Sequence, residues 1–125
     1  MRYFLLLFIP FLSFSQNLLG VDFQSVEAKI SINHTLHQVS GDVSYKFIVN
    51  QKVDTIRIDA VKMDFQSVSI NNKVVNYKVT PKQILLFEGF TTGKNTLSFS
   101  YNASPKQTMY FVGSESTNNL QIWTQ

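Results

Sequence analysis

From residue 21 onward the apolar residues return at every second position, and that period limits what the chain can build. Val26, Ala28, Ile30 and Ile32 alternate with Glu27, Lys29, Ser31 and Asn33. An extended strand points successive side chains to opposite faces, so such a segment has one face for a core and one for water. The alternation recurs in Val43, Tyr45, Phe47 and Val49, in Ile56 and Ile58, and in Leu97, Phe99 and Tyr101. After residue 20 no apolar stripe at helical spacing persists beyond a turn or two. Strands are predicted near 21–33, 36–50, 54–60, 65–71, 74–80, 83–88, 95–102, 109–113 and 119–125. The punctuation suits hairpins and short loops: SGD at 40–42, NNK at 71–73, TPK at 80–82, TTGKN at 91–95 and NASPK at 102–106. Asparagine and glycine supply positive φ, and proline removes a ladder donor. Short strands separated by such turns predict an all-β fold, an antiparallel β-sandwich.

The first residues follow a different logic. Arg2 precedes an apolar run over residues 3–12 that is interrupted by Pro10 and followed by the small residues Ser13 and Ser15. A basic start, a short apolar run and small side chains before a cleavage point are the marks of a secretory signal peptide. The run is shorter than the roughly 20 residues that a membrane-spanning helix needs. The sequence therefore predicts a signal peptide over 1–15, Gln16 as the mature start, and one β-sandwich domain over 16–125. Export to the periplasm or the extracellular space is expected, with no membrane span.

A chain of 125 residues that is 44% hydrophobic can bury one core and is too apolar for a disordered tail. Its formal charge of +3 comes from 11 basic and 8 acidic residues, with Lys29, Lys46, Lys62, Lys78 and Lys94 scattered singly. A phosphate backbone demands clustered cations, so no nucleic-acid partner is expected. Cysteine is absent, which excludes disulfides, thiolate zinc sites, a cysteine nucleophile and the lipid-attachment cysteine of an exported lipoprotein.

The candidates for chemistry are few. His34 and His37 stand in NHTLH, and residues three apart on a strand point to opposite faces, so they reach one ion only from a helix or a tight turn. With no carboxylate or cysteine beside them in sequence, they are read as a solvated loop pair and no metal is assigned. The carboxylates Asp22, Glu27, Asp42, Asp54, Asp59, Asp64, Glu88 and Glu115 form no recognisable acid–base motif, and no G-x-S-x-G is present. No catalytic residue is assigned. Phe47, Phe99 and Tyr101 fall on the buried phase of their strands, while Trp123, the single tryptophan, lies in LQIWTQ close to the last residue.

Taken in order, the segments VEAKISINHTLHQVSGDVSYKFIV, DTIRIDAVKMDFQSVSINNKVVNYKV, GKNTLSFSYNASP and MYFVG leading into LQIWTQ resemble the N-terminal saddle domain of the aminopeptidase N family of zinc metallopeptidases. The likeness covers essentially the whole mature chain. It implies a first strand pair broken at Gly41, a hairpin around Asn71, Asn72 and Lys73, and an N-T-L-x-F-x-Y strand before the T-Q segment. Gln125 matches the glutamine of that segment, which in the family reaches the catalytic cleft and lines the pocket for the substrate's first residue. A primary amide suits the task, with one carbonyl acceptor and two donors.

The same resemblance assigns zinc, the H-E-x-x-H helix, the general-base glutamate, the G-x-M-E-N loop and a catalytic tyrosine to a catalytic domain, and none of those motifs occurs here. It implies no cofactor in this chain, a missing metallopeptidase catalytic domain as partner, and a peptide substrate reached through that partner. The chain is then expected to be a truncated, split or excised piece of an exported aminopeptidase, inactive alone, with an apolar patch near Trp123 and Phe111. The rival expectation is a stand-alone secreted β-sandwich that binds protein, peptide or glycan through Trp123, Tyr110 and Phe111.

Overall fold

A computed structural model describes residues 20–107, 109–114, 116 and 118–124. The chain order is β1 (Val21–Asn33), β2 (Gln38–Val49), β3 (Ile56–Asp59), β4 (Met63–Ile70), β5 (Lys73–Val74), β6 (Tyr77–Val79), β7 (Gln83–Leu86), β8 (Gly93–Ala103), β9 (Met109–Val112) and β10 (Gln121–Thr124). All pairings are antiparallel. A five-stranded sheet runs β1-β2-β8-β4-β5, a three-stranded sheet β3-β7-β6, and β9 and β10 form a hairpin of their own. The predicted all-β antiparallel fold is what the chain adopts, and each predicted strand has its counterpart. The leader over 1–15 and the Gln16 start lie outside the described residues.

The core follows from the period of two. Phe47 and Val49 from β2, Leu97 and Phe99 from β8, and Phe65, Val68 and Ile70 from β4 form one cluster with Ile56, Ile84 and Leu86 of the smaller sheet. Two sheets therefore share a single apolar layer, with Ile70, Ile84 and Leu86 at 0% exposure. Burying an aliphatic side chain this fully contributes roughly 1.5–3 kcal/mol. The alternate residues Ser44, Ser98, Ser100, Ser67 and Ser69 line the opposite face of the large sheet. There Ser98 Oγ donates to Ser44 Oγ at 3.4 Å, Ser67 Oγ to Ser100 Oγ at 3.3 Å and Ser100 Oγ to Asp42 Oδ1 at 2.7 Å.

Two of the expected turns form as the sequence proposes. Asn71 and Asn72 carry φ of 51° and 64°, the two successive positive values of the tight hairpin turn that joins β4 to β5. At TPK, Thr80 N donates to the Gln83 carbonyl and Gln83 N to Thr80 Oγ1, which closes the β6–β7 hairpin.

SGD is different. Gly41 sits inside β2, opposite Ile30 on one side and Tyr101 on the other, so neither a turn nor a break occurs there. A Cβ on Gly41 would stand 2.6 Å from the Tyr101 ring, which is why the strand carries glycine at this point. Burial on β1 also departs from the reading. Its apolar phase is aligned with the core face of β2, yet Val26, Ile30 and Ile32 are 54%, 60% and 43% exposed. None of the three joins the core cluster that the two sheets share.

The loop after β7 supplies one prediction. Gly89 has φ +85°, and a Cβ there would meet Val75 Cγ1 at 2.5 Å and Ile70 Cβ at 3.2 Å. Left-handed backbone costs an ordinary residue about 1–2 kcal/mol and overpacking about 1–3 kcal/mol. Gly89→Ala is expected to lower unfolding stability by roughly 2–4 kcal/mol, read as a lower urea midpoint.

Candidate functional site

The segment that the resemblance singles out ends in the β9–β10 hairpin. Cross-strand partners are Val112 with Gln121, Phe111 with Ile122, Tyr110 with Trp123 and Met109 with Thr124. Opposite residues of an antiparallel pair share a face, so Tyr110 and Trp123 stand together and Phe111 points the other way. The expected common surface of Trp123, Tyr110 and Phe111 is thus divided between the two faces.

Phe111 is engaged. The His37 ring stacks on it at a centroid separation of 5.0 Å and an interplanar angle of 8°. His34 meets the same phenyl edge-on at 5.8 Å and meets His37 at 5.9 Å. The β1–β2 connection is a tight turn in which His37 N donates to the His34 carbonyl, and this brings both rings to one side. The expected loop pair thus lies in a turn, with His37 exposed and His34 half-buried, and both rings also meet Phe111 of the hairpin. His34 Nε2 is buried and lacks a hydrogen-bond partner. Among the described residues no group of three or more histidine, aspartate or glutamate side chains is gathered that would hold a metal.

On the other face Trp123 is 60% and Tyr110 40% exposed. The indole Nε1 donates to Gln121 Oε1 at 3.1 Å, and Gln121 Nε2 donates to Asn119 Oδ1 at 2.8 Å. The Gln121 amide thus orients the indole against its own strand. An aromatic pair held in this way, with Val112 exposed on the same face, is an apolar surface. Gln125, the expected substrate contact, lies one residue beyond β10 and outside the described residues.

The serine-bearing face holds an open groove of ≈ 550 Å³ whose carboxylates are Glu27 and Asp42. Glu27 pairs with Lys46 at 3.7 Å, and Asp42 accepts from Ser100. Its hydroxyls bond to one another, to Asp42 and to the Ser98 carbonyl, and no histidine lines it, so it offers neither a base to activate a serine nor an acid–base pair aimed at one point.

Sequence reasoning missed the polar knot that fixes the loop before β8. Asn95 is 4% exposed. Its Nδ2 donates to the carbonyls of Thr91 at 2.7 Å and Gly93 at 2.9 Å, while its Oδ1 accepts from Thr91 N at 3.0 Å and Asn71 Nδ2 at 2.9 Å. Asn71 in turn donates to the Gly89 carbonyl and accepts from Thr96 N. All four hydrogen-bonding positions of a buried amide are filled. A repeated asparagine at the ends of TTGKN and NNK was the visible signal; that the two amides meet is a matter of tertiary placement.

No family model matches the chain, and no curated protein matches it in sequence. Solved structures do match in fold. Aminopeptidase A from Legionella pneumophila superposes with a TM-score of 0.64 over 78% of this chain and 12% of its own, at 12% identity. Yeast LTA4 hydrolase gives 0.69 over 77% of this chain and 17% of its own, at 15% identity. An M1 zinc metallopeptidase from Deinococcus radiodurans gives 0.60 over 70% and 21%, at 16% identity. The chain thus spans about an eighth to a fifth of the length of these proteins, and its fold is that of the N-terminal, non-catalytic portion of the M1 zinc aminopeptidases.

Proposed function

We propose that this chain is the N-terminal domain of an exported zinc-dependent aminopeptidase, which acts on peptides together with a catalytic domain that carries the metal. The observation that carries this reading is a saddle-like fold shared over most of the chain with M1 peptidases, joined to an apolar hairpin surface at Trp123 and Tyr110 that its own strands leave open. A domain that works by packing on another needs such a surface. Export rests on the leader signals at Arg2, the apolar run and Ser13 and Ser15. Zinc and the groups that activate water belong to the catalytic domain in this proposal; this chain supplies rigid placement, with Gln125 carried towards the substrate's free amino end by β10.

The test is to recover the native protein from its exporting cells with an antibody against this chain and to assay it on aminoacyl anilides. Chelator-sensitive hydrolysis by the native species, with none from the recombinant 125-residue chain, is the expected result. A native species without such activity overturns the proposal. In the active species Gln125→Ala is expected to lower kcat/KM by roughly tenfold, the value of one hydrogen bond to a charged group.

A further inference from the structure

The two edges of the large sheet are built unequally. At one end β5 is two residues long, while at the other β1 runs for 13 residues and, among the described residues, pairs with β2 alone. After the irregularity between Phe23 and Ser25, its register on β2 is unbroken to Asn33. Its outer side is therefore a straight row of backbone donors and acceptors, beside the exposed Val26 and Ile30. Edges are normally protected by shortness, bulges or charge. Apart from Asp22 before the irregularity, the charges on β1 are one of each sign, Glu27 and Lys29, placed symmetrically about Ala28 within the apolar flanks Val26 and Ile30.

We propose that β1 pairs antiparallel with β1 of a second copy of this chain, about a two-fold axis at Ala28, joining the two five-stranded sheets edge to edge. Directly opposite residues share a face in such a pair. The axis sets Val26 against the second copy's Ile30, Ala28 against Ala28, and Glu27 against the second copy's Lys29, twice over. Moving the axis to Glu27 or to Lys29 would oppose like charges, and a one-residue slip would oppose apolar to charged side chains. Glu27 lies 3.7 Å from Lys46, and Lys29 stands opposite Asp42 on β2 without forming an ion pair among the described residues. The second copy sets a further acid, its Glu27, opposite Lys29 across the joint, while a strand with a base at that place would be refused.

The experiment is sedimentation velocity over a concentration series on the purified chain. The wild type is expected to interconvert between monomer and dimer. Lys29→Glu and Glu27→Lys, both at exposed positions that leave the core untouched, are each expected to weaken dimerisation by about tenfold or more. An equimolar mixture of the two variants restores dimers, because each then meets its opposite, and the doubly swapped chain restores them by itself. A wild type that stays monomeric throughout overturns the proposal. So does a dimer that ignores both reversals, or one that is lost only with Trp123→Ser.

Discussion

Ile84→Ala is expected to be the most damaging single truncation in the core. Ile84 is 0% exposed in the central strand of the three-stranded sheet, between Ile58 and Val79, and faces the cluster formed by Leu86, Ile70 and Phe47. Removing its outer carbons loses transfer free energy and leaves a cavity that rigid sheets close poorly, a cost of about 2–5 kcal/mol. Domains of this size are stable by only about 5–15 kcal/mol, so the variant should lose a large share of its folded stability. Urea denaturation followed by tryptophan fluorescence and by far-ultraviolet circular dichroism checks this. Val74→Ala, at a site 87% exposed, should change the midpoint by less than about 0.5 kcal/mol equivalent. Equal losses at the two sites would mean that the core does not lie between the sheets as described.

Asn95→Leu should come second, although leucine is apolar and close in volume. The substitution removes four hydrogen bonds at once and strands the Asn71 amide and the backbone of Thr91 and Gly93. Each buried polar group left unsatisfied costs about 1–3 kcal/mol, and water reaching the exposed Thr91 recovers part of that, so the expected loss is roughly 2–4 kcal/mol. Asn95→Asp keeps the shape but turns the two donors into lone pairs aimed at two carbonyls, and is expected to lose a similar amount. Hydrogen exchange of the Thr91 and Thr96 amides should rise sharply in both variants. Unchanged protection would show that the loop is held by something other than the Asn71–Asn95 pair.

The strands were legible because alternation is a local property: Phe47, Val49, Leu97 and Phe99 declare a buried face whatever else surrounds them. NNK and TPK were legible for the same reason, since positive φ and a side-chain-closed turn are decided by adjacent residues. Whether an apolar face actually meets a second layer is not local. Val26, Ile30 and Ile32 have the pattern of a buried strand and lie on the correct face, but they stay exposed and outside the core cluster. Gly41 misled because glycine serves both turns and close approaches, and only the position of Tyr101 separates the two. The contact of the two histidines with Phe111 was not legible because that ring is more than 70 residues away along the chain. The division of the aromatic surface followed once the β9–β10 register placed Trp123 opposite Tyr110.

The proposal that this fold serves a zinc peptidase is tested at its root by reading the encoding DNA for about a kilobase past codon 125 in all frames, a span scaled to a catalytic domain of a few hundred residues. Coding sequence that contains H-E-x-x-H with a further glutamate downstream is the expected result. A stop followed by unrelated sequence in every frame would contradict it, and would leave the exposed Trp123 and Tyr110 as the surface of a self-standing binding protein.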